Sequence, residues 1–253
     1  MKTDTYPPVL TELVLAFTLL SRIPTPHLPD HAFENSARAV WAYPLVGLVA
    51  GAVATGTAYI LLSLGLPALL AGGLGLALLT MITGALHEDG LADVADGFWG
   101  GHDPERRLQI MKDSQIGSYG TLALVFVTGL RWLAWATLLA VAPAALVAAA
   151  VLSRATMPLL MVALPHARAS GLSHAVGRPD ARRAMTGTAI ALILSALLIG
   201  VYAMGAAIAV GVAAIGTAVL ARRRIAGQTG DVLGACQQLA ELSALCLLAT
   251  LIA

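Results

Sequence analysis

Long apolar runs separated by short polar stretches dominate the chain. A helix that crosses the hydrocarbon core of a bilayer needs about 20 mostly apolar residues. Seven runs approach or exceed that length and predict membrane-spanning helices near residues 38–64, 66–86, 119–141, 143–164, 185–203, 204–221 and 233–253. The last part of this series leaves two alternatives open, since 185–221 fits either two short spans or one kinked hairpin. The apolar run at 9–21 is shorter and precedes a proline-rich stretch, which predicts an interfacial or partly inserted helix.

The polar connections between these runs alternate in charge. The connections at 87–118, 165–184 and 222–232 are rich in Arg and Lys, whereas those near 65, 142 and 204 contain neither residue. Positively charged loops stay in the cytoplasm. Because two spans separate successive basic loops, we expect all the basic loops on the cytoplasmic side of the cell (inner) membrane. The chain predicts one all-α, polytopic domain over residues 1–253, with about seven transmembrane helices, a short N-terminal interfacial helix and a cytoplasmic helical loop that is both acidic and basic.

Composition supports a lipid environment. Hydrophobic residues make up 58% of the 253 residues and charged residues only 11%, whereas a soluble domain has about 25% charged residues. A net charge of +1 argues against a nucleic-acid partner, which needs a concentrated basic face. Cys236 and Cys246 both lie in the last apolar run, so we expect them to pack as small apolar side chains and not to form a disulfide.

The stretch HEDGLADVADG, residues 87–97, concentrates negative charge directly after an apolar run. If it is helical, the spacing of Asp89, Asp93 and Asp96 places three carboxylates on one face. Like charges in this arrangement repel, and a divalent cation would compensate them. Mg²⁺ takes one or two carboxylates together with water and substrate phosphates. The sequence therefore predicts a magnesium site here, the alternative being a solvated acidic helix end.

A short basic helix follows. Asp103 and Pro104 form a helix start that predicts a helix near 104–113, which carries Arg107 and Lys112. Carboxylates for a metal and cations for anionic oxygens thus lie within 25 residues, a combination suited to a phosphate ester or diphosphate. The alternative for the cations is the general bias towards basic cytoplasmic loops.

Ionisable residues also lie inside the apolar runs. A charge inside the bilayer needs a partner or water, so Arg154 is a candidate ligand for a substrate phosphate. Arg131 fits either a similar role or a side chain that reaches the membrane surface. Glu241 is the expected counter-ion of one of these arginines. Asp231, in a glycine-rich loop before the last span, is either a helix cap or a further metal ligand.

These motifs together resemble the cobalamin synthase family, the adenosylcobinamide-GDP ribazoletransferases. The resemblance runs through most of the chain and keeps the order of six segments: RIPTP at 22–26, YPLVG at 43–47, HEDGLADVADG at 87–97, RRLQIMKDSQIGSYG at 106–120, SRATMP at 153–158 and GQTGDVLGA at 227–235. Two residues depart from the family pattern. Glu88 stands where an apolar residue is expected and would add charge at the metal site, and Gln228 replaces an expected glycine.

The resemblance implies a multi-pass inner-membrane transferase that uses Mg²⁺. It would join adenosylcobinamide-GDP to α-ribazole, or to its 5′-phosphate, and release GMP in a late step of vitamin B12 synthesis. A homo-oligomer or an association with other corrinoid-pathway enzymes is compatible with the sequence, which specifies neither.

We predict a role for each site residue on this basis. Asp96 or Asp113 would accept the proton of the attacking ribose hydroxyl, with His87 as an alternative. The remaining assignments are to phosphate binding (Arg107, Lys112 and Arg154) and to the metal (Asp89, Asp93, Asp96 and Asp231).

Two other functions fit parts of the sequence. A prenyl diphosphate transferase of the UbiA kind also places Asp-rich motifs at helix ends, but normally on two helices, whereas here the second motif is reduced to Asp231. An ion-coupled transporter would carry charges near the middle of several spans in both halves of the chain and an internal repeat. The polar residues lie mostly in the loops of one side, which disfavours the transporter.

Overall fold

The computed structural model describes residues 7–34 and 36–253, which form an all-α fold without a β-strand. One isolated bridge pairs His166 with Gln228. The N-terminal part contains two helices and a 3₁₀ helix: α1 Pro8–Leu20, α2 Asp30–Phe33 and 3₁₀ Ser36–Ala42. Ten further helices follow in chain order: α3 Tyr43–Ser63, α4 Ala68–Thr83, α5 Leu86–Gly100, α6 Pro104–Ile110, α7 Ser118–Val141, α8 Pro143–Ala163, α9 Leu172–Val176, α10 Ala181–Ile199, α11 Tyr202–Ile225 and α12 Gly230–Ile252.

Six of the seven predicted spans are confirmed by length and composition, and the second, near 66–86, is long enough only together with α5, from which it is separated by a sharp bend. Six helical segments are long and apolar enough to cross a membrane, and a bent pair formed by α4 and α5 makes up to seven. The region 185–221 forms two helices, α10 and α11, which are separated by a turn at Gly200 with φ of 56°. Helix α1 has 13 residues and spans about 20 Å at 1.5 Å per residue, too short for the hydrocarbon core.

Helix α8 lies at the centre of the bundle. It packs against α3, α10, α11 and α12, and nearly all of its side chains are buried. Helix α3 approaches it through two glycines one turn apart, Gly47 and Gly51. A side chain at position 47 would lie within van der Waals overlap of the Ala150 carbonyl oxygen, so only glycine permits this approach. Close packing through small residues is a common way for helices to associate in membranes.

The helix predicted over 66–86 ends at Thr83, and the chain then turns by 88° into α5. Gly84 and Ala85 make this turn in the left-handed conformation, with φ of 65° and 56°. Their N–H groups bond back to the last turn of α4, to the carbonyls of Met81 and Thr80. The acidic stretch is therefore a separate helix that lies across the end of the bundle, not a straight continuation of the second span.

The polar connections meet at one end of the bundle. The side chain of Arg107 in α6 donates to the carbonyl of Arg224 at the end of α11, at 2.9 Å. Lys112 lies 3.4 Å from Ser170 in the connection between α8 and α9. The basic loops at 87–118, 165–184 and 222–232 thus share one face, as their charge pattern predicts. The two cysteines are free, and Cys236 is buried.

Candidate active site

The acidic helix α5 presents its three aspartates to different surroundings. Asp89 is exposed and Asp93 is half-buried, and in the described part of the chain neither side chain has a hydrogen-bond partner. Asp96 is buried and accepts the backbone N–H groups of Gly117 at 2.7 Å and Gly120 at 2.9 Å. Both of its oxygens are therefore bonded to the start of α7. The three residues share a helix as predicted, but only Asp89 and Asp93 have free carboxylates.

The start of α12 lies directly against α5. A side chain at Gly90 would lie 2.7 Å from the carbonyl oxygen of Asp231, so glycine is required for this approach. The hydroxyl of Thr229 accepts the N–H of Val232 at 3.3 Å and caps α12, which leaves the carboxylate of Asp231 free of a capping role. Asp231 and Asp89 line the same cavity. The helix-cap alternative for Asp231 is therefore wrong.

Arg168 was not singled out from the sequence but belongs to this site. Its Nη2 lies 3.0 Å from Oδ2 of Asp231, and the arginine lines the cavity with Asp89 and Asp231. In the sequence it was indistinguishable from the other arginines of the basic loops. Its place beside the glycine-rich loop comes from a backbone pairing, in which the N–H of Ala167 donates to the carbonyl of Gln228 at 2.9 Å.

Gln228, the second departure from the family pattern, holds this loop together. Its Nε2 lies 2.9 Å from Nδ1 of His166, and its Oε1 accepts the hydroxyl of Ser173 at 2.6 Å. Burial, followed by the nearby His174 and Arg178, lowers the pKa of His166. A glycine at 228 would lack both contacts, so this chain fixes α9 to the entry of α12 through a side chain.

The oxygen donors at this site fit a magnesium ion whose coordination is completed by water and the substrate. Within residues 7–34 and 36–253, no three Asp, Glu, His or Cys side chains converge on a common point that would form a closed metal cage. Mg²⁺ commonly binds through one or two carboxylates together with water and substrate phosphates. Asp89 and Asp93 supply free carboxylates, and Asp231 on the adjoining helix keeps Oδ1 outside the contacts that Arg168 and Thr229 make with its Oδ2, which suits that kind of site.

The predicted phosphate-binding cations have different environments. Lys112 is exposed near Ser170, on the face that carries the acidic helix. Arg107 uses all three nitrogens for backbone carbonyls, those of Gly101, Arg224 and His102. Arg154 is 1% exposed, bonds to the carbonyl of Ala150 and lies 3.7 Å from Glu241. These contacts favour structural roles for Arg107 and Arg154. Lys112 is exposed, and Arg168, although its side chain is only 16% exposed, lines the cavity.

The predicted proton acceptors are also separated by the fold. Asp113 is exposed in the connection between α6 and α7, where its carboxylate accepts the N–H of Gln115 at 3.2 Å. His87 is buried in the wall of the cavity, and its Nε2 has no hydrogen-bond partner among the described residues. Asp96, as described above, has both oxygens bonded to backbone amides.

A buried polar network lies beneath the acidic helix. Arg131 pairs with Glu241 at 2.6 Å and with Glu88 at 3.1 Å, and it is 1% exposed, so it does not reach the membrane surface. The sequence predicts Glu241 as the counter-ion of either Arg131 or Arg154, and in the structure it lies near both. The expectation that Glu88 adds charge at the metal site is wrong, because its carboxylate turns inward, where it accepts from Arg131 and from Gln238 at 3.0 Å.

Comparison with known proteins agrees with these observations. The model of the cobalamin-5-phosphate synthase family matches residues 12–249. A protein of Azorhizobium caulinodans named adenosylcobinamide-GDP ribazoletransferase is 45% identical over 247 residues, which cover 93% of this chain and 94% of the relative. A protein of the same name from Bradyrhizobium diazoefficiens is 41% identical over 243 residues, 95% of this chain and 94% of the relative. No solved structure matches the chain. This chain belongs to the cobalamin-5-phosphate synthase family.

Proposed function

We propose that this protein is a membrane-embedded transferase that joins adenosylcobinamide-GDP to α-ribazole, or to its 5′-phosphate, with release of GMP. The observation that carries this proposal is the meeting of α5 and α12, where Asp89, Asp231 and Arg168 line one cavity. Asp93, one turn after Asp89 on α5, adds a second carboxylate without a hydrogen-bond partner in the described part of the chain. Relatives named for this reaction match over nearly the whole chain, which supports the same substrates here.

The reaction exchanges one phosphate bond for another. A ribose hydroxyl of the acceptor attacks the phosphorus nearer the cobinamide, the phosphoanhydride breaks, and GMP leaves with the bond electrons. Catalysis of this chemistry is mainly positioning and charge stabilisation. Mg²⁺, held by one or two of the carboxylates of Asp89, Asp93 and Asp231 together with substrate oxygens, would neutralise charge on the diphosphate.

The remaining roles follow from accessibility. Lys112 and Arg168 would neutralise oxygens of the diphosphate, since their charged groups are not enclosed by backbone contacts as Arg107 is. Asp113 would accept the proton of the attacking hydroxyl, because it is exposed and adjoins Lys112 on the same face. Asp96 would act by fixing α7 against the acidic helix. The basic loops support a site on the cytoplasmic face of the inner membrane.

The first test uses the full chain purified in lipid nanodiscs with adenosylcobinamide-GDP and each acceptor. GMP release and cobalamin formation are followed with Mg²⁺ and with a chelator. We expect product only with Mg²⁺. Asp93→Asn is expected to lose more than the about 10- to 100-fold typical of residues around a metal ligand, because it removes a ligand itself.

Asp180→Asn is the matched control. Asp180 is an exposed cap of α10 whose carboxylate accepts the N–H of Arg182, and Asn caps a helix about as well as Asp does. This variant should retain full activity. Absence of product from folded, magnesium-loaded protein would overturn the proposed reaction, and full activity of Asp93→Asn would overturn the metal assignment.

A further inference from the structure

A cavity of about 100 Å³ extends from the acidic face into the bundle. This is several times the about 10–15 Å³ that one water molecule needs. Its walls are mostly apolar and come from α1, α3, α8 and α9, through side chains that include Leu19, Leu20, Tyr43, Met157, Met161 and Val176. Asp89, Asp231 and Arg168 line the same cavity. The cavity is therefore amphipathic, with charged groups and an apolar interior.

Two side chains in this wall carry a buried nitrogen without a hydrogen-bond partner among the described residues: Arg168, through Nη1 beside the carboxylates, and His87. His87 is 1% exposed, and its Nε2 makes no hydrogen bond within the described residues. A buried donor or acceptor left unpaired costs about 1–3 kcal/mol, so native proteins rarely leave one without a reason. Because His87 lines the cavity, a bound molecule with one suitably placed polar atom could satisfy it.

We propose that this cavity binds the planar heteroaromatic base of the acceptor nucleoside, and that Nε2 of His87 donates a hydrogen bond to the ring nitrogen of that base that bears no sugar. The inference rests on the proposed function. The acceptor's ribose hydroxyl must reach the diphosphate at the acidic face, and its base is attached to the same ribose. An apolar cavity that adjoins the acidic face is therefore within reach of the base.

Other parts of the substrates fit this cavity less well. Guanine carries several donors and acceptors along its edge, whereas most of the wall is apolar, so burying guanine in the apolar interior would leave polar atoms unpaired. A corrin ring is far larger than a cavity of about 100 Å³. A benzimidazole-type base has two fused apolar rings and a single free ring nitrogen, which matches the one unpartnered nitrogen of His87.

The test separates hydrogen bonding from packing. His87→Phe keeps a planar ring and removes the donor. We expect KM for α-ribazole to rise about tenfold, in line with the loss of one buried hydrogen bond, with KM for adenosylcobinamide-GDP unchanged. An indole ribonucleoside, which has a C–H in place of the ring nitrogen, should show the same KM with both proteins. An equal loss for both nucleosides, or a raised KM for adenosylcobinamide-GDP instead, would overturn the proposal.

A second pair of variants tests the location independently of turnover. Met161→Trp should fill the cavity and abolish binding of α-ribazole, measured by equilibrium dialysis with nanodisc-embedded protein. Leu159→Trp, on the side of α8 that lines a different apolar groove, is the matched control and should bind normally. Normal binding by Met161→Trp would place the base elsewhere. If the wild-type protein forms product while Met161→Trp and Leu159→Trp bind α-ribazole to the same extent, the cavity assignment fails and the proposed function stands.

Discussion

Two arginines lie entirely inside the helix bundle, and two glutamates balance their charge. Glu241 contacts both arginines, with 2.6 Å to Arg131 and 3.7 Å to Arg154, whereas Glu88 contacts only Arg131, at 3.1 Å. Gln237 donates a further hydrogen bond to Glu241, and Gln238 donates one to Glu88. A buried charge that loses its partner is expensive, so the network stabilises the bundle only while it is complete.

Glu241→Gln is expected to destabilise the protein more than Glu88→Gln. The first change leaves Arg154 without a counter-ion and Arg131 with one, and breaking a buried pair costs about 3–5 kcal/mol. The second change leaves both arginines in contact with Glu241. Thermal unfolding of the purified variants, both of which retain the shape of the side chain, measures the difference. A larger loss of Tm for Glu88→Gln would contradict the shared role of Glu241.

Asp96→Asn should lower stability without removing the metal. The carboxylate accepts two backbone N–H groups, from Gly117 and Gly120, and an amide would place its own NH₂ group against one of them. The unpaired donor is expected to cost about 1–3 kcal/mol. Thermal unfolding gives this loss, and the Mg²⁺ concentration at half-maximal activity should stay near that of the wild type. A marked rise in that concentration would instead make Asp96 a metal ligand.

At the scale of the elements, the sequence predicted which stretches form helices better than it predicted the direction in which each helix runs. Apolar length was sufficient to find six of the seven predicted spans, because a helix is the way a single segment satisfies its backbone in lipid. The direction of α5 depends on two successive left-handed residues, and one of them is Ala85, a residue type that rarely adopts this conformation. Helical spacing grouped Asp89, Asp93 and Asp96 correctly, but only the neighbouring α7 decides that Asp96 is used as a cap.

Ala85→Gly is expected to stabilise the turn between α4 and α5. A left-handed non-glycine residue costs about 1–2 kcal/mol, while glycine costs about 0.4–1 kcal/mol through the greater freedom of the unfolded chain. The difference between the two values gives a net gain of up to about 1.6 kcal/mol. Ala77→Gly, at an exposed position within α4, should instead lose about 1 kcal/mol. Thermal unfolding distinguishes the two, and a lower Tm for Ala85→Gly would contradict strain at this turn.

At the scale of the whole molecule, polar function is concentrated at one end of an apolar bundle. Charge patterning alone predicted that the basic loops share a side. It could not predict which cation is free to meet a substrate, since Arg107 and Arg168 carry the same charge in similar loops. The fold encloses Arg107 in backbone carbonyls and places Arg168 beside Asp231. Tertiary structure thus decides which of several arginines lies at the site, and for this reason the sequence could not single out Arg168.

The orientation of the bundle gives the last prediction. Ala169 lies in a basic connection on the polar end, and Val201 lies in the uncharged turn between α10 and α11 at the opposite end. Because basic loops stay in the cytoplasm, a cysteine at 169 should react with a membrane-impermeant maleimide only in inverted vesicles. A cysteine at 201 should react only from the outer face of intact membranes. Cys246→Ala provides the background, since the native Cys246 side chain is exposed and Cys236 is buried. The reverse labelling pattern would place the acidic helix outside the cell and separate it from a cytoplasmic nucleotide substrate.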